Sequence, residues 1–419
     1  MHSVLGRTDN GDCMARVQHL RLRNFKGFED FTVTFGDFSV LIGPNNAGKS
    51  TIIEGLRAAA LMLRLASRRR GTTPREHRSG LFPSHALSTD SVLTQSENLR
   101  HEFHQDETWI ELKLAGNHYL RAVWPPDEAN DPAFFYVAAA GDVPVTSLRY
   151  IRENYPPPYI IPVLGPIEHD EPVLTEDYVL QNRATRLATR HFRNHLLILG
   201  SSFEDDGTTR LDSFYKFAHE WLPPDIELEH PRTRPGRRGP EIDVDYKEGR
   251  GPKELAWAGD GLQVFLQVLL HIYLSDDAST LVLDEPDVFL HPDLQRRIVR
   301  LLESAPRQVI LATHSPEILL ESPTDGVTWV DRTRRHAVRA PSDGVLDDLR
   351  TALGSGVSLR LAQVLRREPL WSWRGKTQNC CVGWAQLSAE TVWRRKEQGS
   401  EYSNWKDSTT GRSLKASLG

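Results

Sequence analysis

Gly43-Pro44-Asn45-Asn46-Ala47-Gly48-Lys49-Ser50 stands between Phe38-Ser39-Val40-Leu41-Ile42 and Thr51-Ile52-Ile53-Glu54-Gly55-Leu56-Arg57-Ala58-Ala59-Ala60-Leu61. The first flank is a short apolar run without polar alternation, which reads as a strand buried on both faces of a parallel sheet. The second flank has the composition of a good helix. A strand that passes through a glycine-bounded loop into a helix is an α/β unit. The loop itself fits the pattern G-x-x-x-x-G-K-S. Gly43 and Gly48 let backbone N–H groups converge on phosphates without a Cβ in the way. Pro44, Asn45, Asn46 and Ala47 form the span between them. The helix that starts at Lys49 offers unpaired N–H groups and the positive end of its dipole. Lys49 supplies a point charge for β- and γ-phosphates, and the Ser50 hydroxyl, with Thr51 beside it, is placed for Mg²⁺. The expected ligand is ATP with Mg²⁺.

Two further strand ends extend the pattern. Ser279-Thr280-Leu281-Val282-Leu283 is a core strand ending in Asp284 and Glu285. Asp284 would hold Mg²⁺ through water, and Glu285 would act as general base toward the attacking water. Pro292 then suits the first turn of a helix whose buried face carries Leu294, Ile298, Leu301 and Leu302. Gln308-Val309-Ile310-Leu311-Ala312 is another short apolar strand, followed by Thr313-His314-Ser315-Pro316. His314 is placed to contact the γ-phosphate and the attacking water. In open α/β sheets ligands bind at the carboxyl edge of the strands, so these ends are expected to meet there.

The bounds agree with a globular ATP-binding protein. The chain has 419 residues, 39% hydrophobic and 26% charged, with net charge −5. That balance gives no global electrostatic argument for nucleic acid. Three cysteines make no disulfide framework, so a reducing cytoplasm is the expected location. No stretch approaches the roughly 18 apolar residues of a membrane span. Residues 1–14 are polar and read as a disordered lead-in. Leu20, Leu22 and Phe25 then alternate with Arg21, Arg23 and Lys26, and Phe31-Thr32-Val33-Thr34-Phe35 follows as a second strand.

The set VQHLRLRNFKGFEDFTVTF, GPNNAGKST, LVLDEPDVFLHPDLQ and LATHSPEIL resembles the ABC-type ATPase heads of the SMC/RecF class. It looks most like the OLD (overcoming lysogenization defect) ATPases, helped by PVLGPIEHDEPVL and FRNHLLILG in the middle. The resemblance covers roughly 15–355. It implies an α/β fold, an ABC-type P-loop head with a mixed β-sheet core and an antiparallel N-terminal β-subdomain. A helical and β insertion is expected over about 66–235. It further implies a signature loop at Glu254–Gln263, with Gly259, Gly261 and Gln263 as nucleotide contacts. Such a loop opens a helix whose N-terminus meets the γ-phosphate bound by a second copy, so two protomers sandwich two ATPs. Gly259 replaces the usual small hydroxyl residue. A Gln that senses Mg²⁺ is also implied, with Gln95 as its candidate.

Other segments read less sharply. Trp109–Leu114 and Tyr119–Trp124 look like a hairpin around Ala115-Gly116-Asn117-His118, while 66–106 has no clear period. Residues 154–172 are Pro-rich and read as a rigid connector. Arg183, Arg186, Arg190 and Arg193 lie near helical spacing in an expected helix over 176–200. They read either as a solvated face or as a track for DNA phosphates. The run Pro231–Arg238 reads either as an exposed loop or as a nucleic-acid contact. Five of the ten tryptophans fall after Leu370, and periodicity fails after about Leu365. OLD-type proteins usually continue into a Toprim nuclease, whose motif is missing here. Suitable codons for Leu370–Cys381, read from the third base of Leu370, encode Val-Val-Val-Glu-Gly-Gln-Asp-Ala-Lys-Leu-Leu. The expectation is therefore a degenerate or out-of-frame tail over 356–419, out of frame from about residue 370, with the Toprim domain absent.

These readings converge on an ATP-hydrolysing head that dimerises on ATP and controls a DNA-processing or phage-defence nuclease. Self, DNA and a nuclease or Toprim partner are the expected partners, with no membrane. A DNA-repair or recombination ATPase is one alternative. A non-hydrolysing nucleotide-binding interaction module is another.

Overall fold

A computed structural model describes residues 16–339, except 78–79, 88–95, 128–130, 184–185, 237–238 and 250. The lead-in over 1–14, Gln95, Arg237, Arg238 and the tail with its shifted-frame reading lie outside the described residues.

Two sheets enclose one helix. The first has the order β10 (Tyr159–Ile161), β16 (Thr280–Asp284), β17 (Gln308–Ala312), β3 (Phe38–Ile42), β18 (Val327–Trp329) and β19 (Val338–Arg339). All neighbours in it are parallel except β18 and β19. The second, antiparallel sheet has the order β2 (Phe28–Thr34), β1 (Val17–Phe25), β6 (Thr108–Leu114), β7 (His118–Trp124), β8 (Phe134–Ala139), β5 (Gly80–Ala86) and β4 (Thr73–His77). The short β9 (Val143–Pro144) pairs with β8. The hairpin read around Ala115–His118 is β6–β7.

Helix α1 (Lys49–Arg68) packs between the two sheets. Ile52, Ile53, Leu56, Ala59, Met62 and Leu63 are buried on it, so it is covered on more than one face. Its small residues allow the close approach. A Cβ on Gly55 would lie 3.0 Å from Leu22 of β1. The period-2 alternation of the parallel strands explains why the sheet has two cores. Leu41, Val282 and Ile310 join α1 and the antiparallel sheet. Val40, Leu281, Leu283, Val309 and Leu311 join the helices on the other side.

Those helices include α4 (Phe192–Ser201), α5 (Arg210–Trp221), α6 (Asp260–Leu274), α7 (Pro292–Ser304) and α8 (Pro316–Glu321). The chain between α1 and α6 also holds α2 (Leu148–Asn154) and α3 (Glu176–Asn182). It ends in two small antiparallel sheets: β11 (Ile226–Leu228) with β14 (Asp245–Glu248) and β15 (Pro252–Glu254), and β12 (Arg232–Gly236) with β13 (Gly239–Asp243).

Several local readings need correction. The Pro-rich connector contains β10, a strand of the parallel sheet. Pro156, Pro157, Pro158 and Pro162 bracket it and bound it to three residues, and β10 is an edge strand. The stretch without clear period contains the β4–β5 hairpin. The single helix over 176–200 is three pieces: α3, a 3₁₀ turn at Arg186–His191, and α4. Arg193 is no part of a solvated stripe, because it is fully buried. Arg190 pairs with Glu168. Within the run Pro231–Arg238, the described part Arg232–Gly236 is the exposed strand β12, paired with β13. Its Arg234 bonds Asp170, Glu241 and Asp243, and Arg232 bonds Asp245, so neither is a free cation.

Candidate functional site

Four of the parallel strands end at one edge. β3 runs into Gly43, β16 ends in Asp284, β17 leads to His314 and β10 leads to Pro162. The loop after β3 is shaped by its glycines. Gly48 has φ +102°, and a Cβ there would lie 2.2 Å from the Phe28 ring. A Cβ on Gly43 would lie 2.3 Å from the carbonyl oxygen of Val330. Any side chain at either position would push the loop out of its path. Asn46 takes the left-handed region at φ 65°, as Asn does more readily than most residues. The Ala47 N–H donates to the Pro44 carbonyl at 3.1 Å, closing the turn. Ala47 is buried, whereas Pro44, Asn45 and Asn46 are exposed.

Helix α1 starts at Lys49 with no side-chain cap and no acidic residue in its first turn. Its first N–H groups and positive dipole end therefore suit an anion. Ser50 is exposed and Thr51 half-buried. The Lys49 ammonium donates to the Gly43 carbonyl at 2.9 Å and the Pro44 carbonyl at 3.3 Å. Burial pushes its pKa down to about 8, against the opposing pull of Glu285 and Asp284. A lysine held at the loop's own carbonyls can exchange those partners for phosphate oxygens at little conformational cost.

Asp284 is half-buried, and burial raises its carboxyl to about 6. Arg57 of α1, whose guanidinium lies 4.0 Å away, opposes that rise. Glu285 and Glu54 add to it. Glu285 has φ 46°, uncommon for a non-glycine residue, and its N–H donates to the Ala312 carbonyl at 2.9 Å. That bond extends the β16–β17 ladder by one residue and fixes Glu285 beside the His314 turn. His314 Nε2 lies 3.7 Å from Glu285 Oε1. Burial and then Lys49 hold the His314 pKa below its usual value, while Glu285 and Asp287 pull the other way.

A hydrogen-bonded frame behind His314 had no signal in the sequence. The Thr313 hydroxyl donates to Asp287 at 2.5 Å and accepts from the Ser315 N–H at 2.9 Å. The Ser315 hydroxyl donates to Gln295 of α7 at 2.5 Å and accepts the first N–H groups of α8. Gln295 in turn donates to the Leu290 carbonyl at 2.8 Å. The loops after β16 and β17 are thereby tied to each other. Arg57 is also a neighbour that the sequence did not mark.

The glycine loop, Lys49, Ser50, Asp284, Glu285 and His314 thus belong to one edge, and the donor set fits a metal-bound triphosphate. Ser50 and Asp284 are the groups that would take the ion. The expected signature-loop contacts divide. Gly259 precedes α6 with nothing within 4 Å of a Cβ built on it, and Gly261 lies against the Phe289 carbonyl. Gln263, expected as a nucleotide contact, is buried. Its amide donates to the Ala256 and Ala258 carbonyls at 3.1 and 2.7 Å and accepts from the Ile167 N–H at 2.8 Å. All of its amide atoms serve the protein, so it is not free to bind a nucleotide.

The fold is that of an ABC-type ATPase head, a mixed α/β core with an antiparallel subdomain and the glycine loop between β3 and α1. Residues 16–118 match a family described as "AAA ATPase domain". Residues 168–321 match one described as "AAA domain, putative AbiEii toxin, Type IV TA system". A curated relative, "Putative ABC transporter ATP-binding protein gll0289" of Gloeobacter violaceus, is 38% identical over 82 residues. That match takes in 20% of this chain and 33% of the relative, so the chain spans about a third of the length of the curated relative it matches. Similar solved structures include the Smc head domain of Pyrococcus furiosus bound to the C-terminal domain of ScpA, at TM-score 0.47 and 13% identity. They also include the SMC head domain from Thermotoga maritima, at 0.43 and 18%. They cover 81% and 78% of this chain, and 99% of each of those chains is covered. Among the described residues no helix is long and apolar enough to cross a membrane.

Proposed function

We propose that this chain binds Mg-ATP at the edge of its parallel sheet and hydrolyses it. The observation that carries the reading is the convergence of Lys49, Asp284, Glu285 and His314 from three strand ends. Lys49 and the α1 N-terminus bind and orient the triphosphate. Ser50 and Asp284 hold the Mg²⁺, which supplies charge neutralisation on the phosphate oxygens when bound. Glu285 takes the proton of the attacking water, and His314, 3.7 Å from that carboxylate, meets the γ-phosphate. The matches to ATPase families support this chemistry. Comparing phosphate release by the parent and by Glu285→Gln, both at saturating Mg-ATP, tests it. Equal rates in the two proteins would overturn hydrolysis at this site.

The finer reading is a pair of heads that close over two ATPs and open on hydrolysis, driving a DNA-processing or defence nuclease, as the OLD resemblance implies. Two features support closure on a second copy. Gly259 leaves the start of α6 open, and Trp257 and Phe289 stand exposed beside it at 76% and 51%. The test is whether Glu285→Gln shifts from monomer to dimer on adding Mg-ATP.

A further inference from the structure

Two loops frame the far side of the nucleotide edge. One, residues 162–171, leaves β10. Its Pro162 and Leu164 line a small cleft with Asp284, Glu285, Val264 and Val268. The other, residues 254–259, leads into α6. They are distant in sequence, yet buried polar side chains join them. Gln263 accepts from the Ile167 N–H of the first loop and donates to the Ala256 and Ala258 carbonyls of the second. Gln267 donates to the Gly165 carbonyl at 2.7 Å. The His169 ring packs against Trp257, with centroids 5.0 Å apart.

The central member is Arg193 of α4, fully buried. One guanidinium nitrogen donates to the Glu168 carbonyl at 2.8 Å and lies 3.9 Å from Glu171. A second donates to Glu254 at 2.6 Å. Glu254 accepts from the Ala256 N–H at 3.0 Å, so it holds the turn that presents Trp257. Glu171 accepts the N–H groups of Arg193 and Asn194 at 3.0 and 2.7 Å, which anchors the first loop to the start of α4. A buried cation whose carboxylate partners come from two separate loops fixes those loops to each other, because moving either one uncovers a charge.

We infer that Arg193 is a positioning residue, and that through it the two loops move as one body, so a shift of Pro162–Leu164 beside Asp284 and Glu285 is passed to the Glu254–Gly259 loop. This rests on the ATPase reading above. Arg193 meets no nucleotide. It sets the geometry of a loop that acts later in the cycle, so its loss should separate binding from turnover.

The test uses the full chain and Mg-ATP. Nucleotide affinity is measured by calorimetry in a Glu285→Gln background, and turnover by phosphate release with Glu285 intact. Trp257 reports on the second loop, as the difference in emission between each protein and its Trp257→Phe counterpart. Arg193→Met is expected to keep its Kd for Mg-ATP within about threefold of the parent. Its kcat should fall tenfold or more, and the nucleotide-dependent Trp257 signal should vanish. Glu254→Gln, a milder change, should show a threefold or greater loss of kcat with Kd held, and it decides the matter if Arg193→Met does not fold. The double variant should be no slower than Arg193→Met, since both act through one pair. Parent-like kcat, a proportional rise in Kd, or a surviving Trp257 signal in the deciding variant would overturn the proposal. A parent that neither binds nor hydrolyses ATP would instead overturn the ATPase reading itself.

Discussion

His314 Nε2 and Glu285 Oε1 lie 3.7 Å apart, one on the turn after β17 and the other at the end of β16. The pair depends on backbone rather than on side-chain reach. Glu285 is held at φ 46° by its N–H bond to Ala312, two residues before His314. Glu285→Gln keeps the shape and removes the base, so the expected result is retained Mg-ATP binding with phosphate release lowered by about 100-fold or more. His314→Ala should lower release by roughly 10-fold or more while leaving Glu285 in place. Single-turnover phosphate release checks both. Parent-like turnover in Glu285→Gln would remove Glu285 from the chemistry.

Lys49 gives a pH dependence. Burial lowers its pKa to about 8, and only the protonated amine attracts phosphate. Below that value the free protein already carries the charge, so Mg-ATP affinity should be level from about pH 7 to 8. Above it, binding must take up a proton, and affinity should fall by up to about tenfold per pH unit. Lys49→Met should bind weakly with a flat profile. Calorimetry from pH 7 to 9.5 reads the slope, and an unchanged parent affinity at pH 9.5 would contradict the assignment.

The parts of this site that were legible in the sequence are those whose signal is local. Phe38–Ile42, Leu281–Leu283 and Val309–Ala312 are short apolar runs whose polar residues come immediately afterwards. The glycines at 43 and 48 mark conformations that other residues resist. Strand β10 was hidden because three residues between prolines carry no periodicity. Arg193 was misplaced because helical spacing cannot tell an inward face from an outward one. Its partners, Glu171 and Glu254, lie 22 and 61 positions away. Gln263 hides its protein partners for the same reason. A polar residue in the first turn of α6 has the position of a ligand contact, and only the fold reveals Ile167 already occupying its acceptor.

Glu171 predicts a second pH effect, on stability. Burial raises its pKa from 4.5 to about 7, against the opposing N–H donors of Asn194 and Arg193 and the Arg193 charge. Between those two values the folded chain keeps a proton that the unfolded chain has released. Stability should therefore fall as pH rises from 4.5 to about 7, by on the order of 3 kcal/mol at most. Glu171→Gln cannot titrate, so its stability should lack this decline relative to the parent. Denaturant unfolding at pH 5, 6 and 7 measures the difference, and parallel curves for the two proteins would show that Glu171 keeps an ordinary pKa.

Gln263 separates a structural role from a ligand role without any nucleotide present. Gln263→Leu keeps the approximate volume but leaves the Ile167 N–H and the Ala256 and Ala258 carbonyls without their partner. Each buried group stranded in this way costs about 1–3 kcal/mol, so unfolding free energy should drop by at least about 3 kcal/mol. Asp260→Asn, three residues earlier on the exposed side of the same helix, should stay within about 0.5 kcal/mol of the parent. Thermal and denaturant unfolding of the nucleotide-free proteins give both values. If Gln263→Leu were as stable as the parent and lost only Mg-ATP affinity, the residue would be a nucleotide contact after all, and the bonds that tie the two loops would have no energetic weight.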